Sequence, residues 1–271
     1  MHKFSLYSSE KSFKNLYTSD EILGANLEDS NQILVRLPNV EKRITDVIFS
    51  FDGQNLFDKN TSYFGTTFDL EDLLINFETT QDKNILVIAT TSNKNRQIQY
   101  NPYPRNNSEA SIQHLKDIYT VFIPSVLDSF NLNIAESKKH VLGASMGGLM
   151  AIKFSITYPE FNNVICLSPA FWYGFPGVNE DINNLNKNTF LHLYTGKKEG
   201  SIFGDEAENI FPEEWNLDFS SNNNFYLSGV DLIAKKLKEN ELDFEYFIEE
   251  AGTHNEIFWR KELYRYFSKN L

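Results

Sequence analysis

Cysteine is almost absent from this chain of 271 residues, and the single one, Cys166, has no partner for an internal disulfide. It lies within Val164-Ile165-Cys166-Leu167 and reads as a small buried hydrophobe. Long apolar runs are absent too. No stretch of about 18 apolar residues occurs, which excludes a membrane-spanning helix. The amino terminus, Met1-His2-Lys3-Phe4-Ser5, lacks the apolar segment of a signal peptide, so the expected compartment is the cytoplasm. Positive charge is in short supply: 25 Lys and Arg stand against 37 Asp and Glu, for a net charge of -12. Nucleic acid and anionic membrane would repel such a surface, and neither is expected as a partner. No Cys/His or carboxylate cluster has metal-ligand spacing, and no glycine-rich phosphate loop follows a strand, so no metal or cofactor is expected.

Short apolar runs alternate with helix-like segments. Strand candidates are 32–37, 46–51, 84–90, 163–168, 189–195 and 243–250. Helical spacing covers 69–77, 112–130 with a bend at Pro124, and 225–239, where Leu227, Val230, Ile233, Ala234 and Leu237 form one stripe. This order predicts an α/β fold with a mostly parallel central sheet and helices on both faces. Neither an internal repeat nor a low-complexity linker appears. The whole chain, 1–271, therefore reads as a single domain, with cap-like insertions expected at 171–188 and 200–224.

The most informative stretch is Val141-Leu142-Gly143-Ala144-Ser145-Met146-Gly147-Gly148. It passes from an apolar strand to a small-residue helix through G-x-S-x-G, the nucleophile-elbow pattern. A turn that tight strains the serine backbone and leaves room only for small residues two positions to either side. Ser145 is thus the candidate nucleophile.

A serine hydroxyl needs a base. Of the five histidines, His2, His114, His140 and His192 lie at the terminus, in a helix or within strands. His254 follows the last strand, where a ring can swing over the sheet edge, and is the candidate base. An acid to orient it belongs between Ser145 and His254 in chain order. Glu199, directly after the 189–195 strand, is the first choice; Asp205 and Asp218 stay open. The backbone N–H groups of Met146 and Gln54 are the candidate oxyanion donors, Gln54 because Asp52-Gly53-Gln54 turns out of an earlier strand.

Together these segments resemble the esterase D / putative esterase branch of the α/β-hydrolases. That branch includes S-formylglutathione hydrolases, siderophore esterases, feruloyl and acetylxylan esterases, and mycolyltransferases. The matching segments are Asp52-Gly53-Gln54-Asn55-Leu56-Phe57, Arg96 with Tyr100 and Pro102, and Gly143 to Gly148. They continue through Ser168-Pro169-Ala170-Phe171-Trp172, Gly196-Lys197-Lys198-Glu199, and Gly252-Thr253-His254-Asn255-Glu256 with Trp259. The resemblance implies an α/β-hydrolase fold, Ser145 as nucleophile, His254 as base, and Gln54 and Met146 as oxyanion donors. It supports Glu199 without settling it.

The expected activity is cofactor-independent cleavage of a small-molecule carboxylic ester by a serine esterase. Acyl transfer or thioester cleavage by the same triad is the alternative, and a non-catalytic binding protein with this fold is a further one. Trp172 and Trp215 are expected to border the substrate cleft. A homo-oligomer is compatible with this reading.

Overall fold

Four buried runs build the centre: Val47-Ile48-Phe49, Ile85 to Ala89, Val141-Leu142 and Val164 to Leu167 are shut off from solvent on both faces. A strand hidden on both sides must be covered by helices above and below. The computed structural model describes residues 2–9, 11, 13–20, 31–103, 108–203 and 217–271. Among these, the strands are β1 (Phe4–Leu6), β2 (Leu16–Ser19), β3 (Ile33–Arg36), β4 (Asp46–Ser50), β5 (Ile85–Thr90), β6 (Lys138–Ala144), β7 (Asn163–Leu167), β8 (Phe190–Lys198) and β9 (Asp243–Thr253). They form one nine-stranded sheet in the order β1-β2-β3-β5-β4-β6-β7-β8-β9. The pairs β1/β2, β2/β3 and β3/β5 are antiparallel, and every pair from β5/β4 to β8/β9 is parallel. The expected α/β fold with a mostly parallel sheet is therefore the observed one.

The helices are α1 (Leu70–Gln81), α2 (Arg96–Gln99), α3 (Glu109–Asp117), α4 (Ile123–Ser129), α5 (Met146–Thr157), α6 (Gly177–Asp181), α7 (Asn222–Glu239) and α8 (Glu256–Asn270). Side chains alternate across a strand, so each strand feeds two cores. Val47, Phe49, Val141 and Val164 pack with Leu149 and Ile152 of α5 and Val230 and Ile233 of α7. Ile48, Leu142 and Ile165 pack with Leu74 of α1 and Leu263 and Phe267 of α8 on the opposite face. Among the described residues no helix is long and apolar enough to cross a membrane.

Local differences from the sequence reading have physical causes. The 112–130 segment is not one helix bent at Pro124: a π-helical stretch, Ile118–Phe122, joins α3 to α4, and Pro124 sits in the first turn of α4. There the missing proline N–H costs nothing. The buried stripe of α7 runs through Phe225 and Tyr226 to Val230 and Leu237, while Leu227 is only half-buried. Strands β8 and β9 extend to Lys198 and Thr253, past the apolar runs, because they pair with each other there through an irregular register at Gly196 and Lys198.

Because β4 to β9 are parallel, their carboxyl ends share one rim. The chain order reverses at β4, which lies between β5 and β6. The carboxyl ends of β4 and β6, beside that reversal, are the usual place for a ligand in such sheets.

Candidate active site

Ser145 stands at this rim, between β6 and α5. Its backbone is at φ 56°, ψ -123°, a region that costs a non-glycine residue about 1–3 kcal/mol. The neighbouring strand holds it there: the Ser145 N–H donates to the Leu167 carbonyl at 3.0 Å, and its own carbonyl accepts from Ala170 at 2.9 Å and Gly148 at 3.0 Å. Gly143 has to be glycine, since a Cβ there would lie 1.9 Å from the Gly147 carbonyl oxygen. A Cβ on Gly148 would press into Pro169 at 2.6 Å. These contacts are the steric reason for the small residues around the serine.

Glu199 follows β8 and His254 follows β9, and the structure brings them together. His254 Nδ1 lies 2.7 Å from Glu199 Oε2. The carboxylate is fully buried, and its other oxygen accepts from the Ser168 hydroxyl at 2.6 Å and the Gly196 N–H at 2.7 Å. An ionised carboxylate only accepts, so the imidazole proton sits on Nδ1 and Nε2 is left as the basic nitrogen. Rings cage the imidazole: Trp259 at 4.9 Å and 87°, Tyr226 at 5.5 Å, and Phe64 at 6.3 Å between centroids. Asp218, an alternative acid, is fully exposed and accepts from the Ser220 N–H in its own loop. Asp205 lies outside the described residues.

Three residues that sequence reasoning left without a role complete this corner. The Trp259 indole N–H donates to Ser168 Oγ at 2.8 Å, and the Tyr226 hydroxyl donates to the Ser168 carbonyl. Burial, and next the nearby Glu199 carboxylate, push the Tyr226 phenol well above its ordinary pKa, so it remains a donor. The Trp172 ring packs on the Tyr226 ring at 6.0 Å between centroids. Tyr226 therefore ties the Ser168 backbone to the face of the His254 ring. A signal for it was present, because 226, 230, 233 and 237 fall on one helical face.

The loop that carries the candidate donor Gln54 is held by side-chain hydrogen bonds. Asp52 leaves β4 in the left-handed region at φ 54°, and its buried carboxylate is held by a fork from Arg96, Nε at 2.8 Å and Nη2 at 2.7 Å. Its N–H donates to the Tyr100 hydroxyl at 3.2 Å. The Gln54 side chain bonds Ser92 in both directions, at 2.8 and 2.9 Å. Residues Gly53–Asn55 form a 3₁₀ turn, and Met146 opens α5. The first amides of a helix have no partner inside it, which is the position of both Gln54 and Met146. Of the expected cleft tryptophans, Trp172 is largely buried against Phe225 and Tyr226. Trp215 lies outside the described residues.

The other histidines hold structural positions. His140 is buried between Asp46 at 3.1 Å and the Tyr266 hydroxyl at 3.0 Å, and His192 meets Glu262 at 2.7 Å.

Known proteins share this architecture. The siderophore hydrolase EstA from Aspergillus nidulans superposes with a TM-score of 0.66 at 16% identity, covering 96% of this chain and 98% of that one. The enterobactin esterase FES from Shigella flexneri gives 0.62 at 14% identity, over 92% of this chain and 58% of that one. At such identities the likeness is one of fold. YbbA of Bacillus subtilis (strain 168), described as uncharacterized, is 23% identical over 163 residues, and the match spans 56% of this chain and 61% of that protein. A family model described as "Putative esterase" matches residues 24–267, and the chain belongs to that esterase family.

Proposed function

We propose that the protein is a serine hydrolase that cleaves carboxylic esters through an acyl-enzyme. Membership of the esterase family supports ester hydrolysis, and the similar structures named as siderophore hydrolase and enterobactin esterase agree with it. The observation that carries the serine mechanism is the 2.7 Å contact of His254 Nδ1 with a fully buried Glu199, on the same rim as the strained Ser145.

In this mechanism His254 Nε2 takes the hydroxyl proton as Ser145 Oγ attacks the ester carbonyl. Glu199 holds the ring and balances its charge. The Gln54 and Met146 amides stabilise the oxyanion, a contribution on the order of 10²–10³ in rate per donor. The alcohol leaves with the proton from His254, and water activated by the same nitrogen frees the acid. The same steps with another alcohol or a thiol as acceptor would give acyl transfer.

The test is turnover of p-nitrophenyl acetate by wild type and Ser145→Ala. The expected loss in kcat is at least about 10³-fold, with an unchanged circular dichroism spectrum. Retained activity in the variant would end the serine reading.

A further inference from the structure

Between the oxyanion turn and α1 the chain makes a loop over 56–69 whose base is buried through Leu56, Phe57 and Phe68. Its apex is the reverse. Tyr63 is 83% exposed and Phe64 41%, their rings edge to face at 4.9 Å. Adjacent exposed aromatics at the mouth of a site point to a ligand.

The apex is held in place by hydrogen bonds. Ser62 Oγ and Thr66 Oγ1 donate to the two carboxylate oxygens of Glu256, at 3.2 and 2.8 Å, and Glu256 is itself fully buried. The Tyr63 N–H donates to Asn55 Oδ1 at 3.1 Å, and Thr61 Oγ1 to the Gln54 carbonyl at 2.8 Å. Glu256 lies two residues after His254, and Gln54 carries the proposed oxyanion amide. The loop is therefore in register with both halves of the machinery. Phe64 meets the His254 ring edge-on at 6.3 Å.

The side of the site follows from the chemistry. When the tetrahedral intermediate collapses, the acyl carbon–oxygen bond breaks with its electron pair on the leaving oxygen. That oxygen takes the proton from His254 Nε2, while the acyl group stays on Ser145 Oγ. A group flanking the open side of His254 therefore flanks the alcohol half of the ester. We propose that Tyr63 and Phe64 form a preorganised wall that selects esters whose alcohol half carries a flat apolar ring. The acyl half lies away from this wall. The proposal rests on the esterase reading above and adds the residues that discriminate among its substrates.

Two pairs of esters test it in wild type and in the Tyr63→Ala/Phe64→Ala double variant. Benzyl acetate against ethyl acetate varies the alcohol; ethyl benzoate against ethyl acetate varies the acid. Wild type is expected to favour benzyl over ethyl acetate in kcat/KM by about tenfold or more. The double variant is expected to bring that ratio within about twofold of unity while the acyl ratio stays put. A benzyl-to-ethyl ratio near one in wild type, or one that survives the double substitution, overturns the proposal. So does an acyl ratio that moves by the same factor, since the wall would then serve the acid. If folded wild type turns over none of the three esters, the esterase reading itself falls, which is a different result from turnover without preference.

Discussion

Ser168 shows how much of the candidate site is carried by a residue shut off from solvent. It is fully buried at φ 42°, accepts a hydrogen bond from the Trp259 indole and donates one to Glu199, which in turn holds His254. Ser168→Ala leaves the indole N–H and one carboxylate oxygen short of a partner. The expected cost is about 1–3 kcal/mol of stability, read from the urea midpoint. With the imidazole less firmly held, kcat should drop about tenfold while KM moves little. Glu199→Gln tests the partner directly. The amide keeps the shape but offers an N–H where His254 needs an acceptor, so kcat should fall on the order of 10⁴-fold in a fold that still melts cooperatively. A loss of less than about tenfold in Glu199→Gln would remove Glu199 from the triad.

At the level of elements, two close approaches shape the rim. One is the elbow, where Gly143 meets Gly147. The other is where β8 and β9 press together: a Cβ on Gly196 would lie 2.2 Å from the Gly252 carbonyl oxygen. This second approach runs directly into Glu199 and His254, so Gly196→Ala should separate the acid from the base. The expected result is lost turnover of p-nitrophenyl acetate together with a lower melting temperature. Helix α3 carries a different liability. Burial lowers the His114 pKa from 6.5 to about 4, and its Nε2 has no hydrogen-bond partner among the described residues. Between those pH values the unfolded chain binds a proton that the folded one does not, so stability rises with pH across that window. Acidification from above pH 6.5 to about 4 should therefore cost on the order of 3 kcal/mol through this group. Buried His140, lowered chiefly by burial, pushes the same way. In His114→Phe the denaturant midpoint should fall less steeply with acid than in wild type, and an equal slope would exclude His114 as a cause.

For the whole molecule, the parallel core was legible because strands buried on both faces are written as continuous apolar runs, as in Ile85 to Ala89. The first two strands were not, because Phe4–Leu6 and Leu16–Ser19 are short and their pattern is mixed. The last residues of β8 and β9 are polar and held by pairing, so no apolar run marks them. In the site, chain order put an acid after one strand and a histidine after the next, and the sheet's register does the rest. The partners of Ser168, Tyr226 and Trp259 could not be read from sequence, because each meets a residue far along the chain. Trp215 falls outside the described residues. The proposed ester hydrolysis thus depends on whether the serine of the elbow is chemically activated by the histidine beyond β9. The most direct measurement is labelling with a fluorophosphonate, followed by mass mapping of the adduct in wild type and His254→Ala. The account expects a single adduct on Ser145 that forms at least about 10³-fold more slowly in the variant. An adduct elsewhere, or one that forms equally fast without the imidazole, would contradict it.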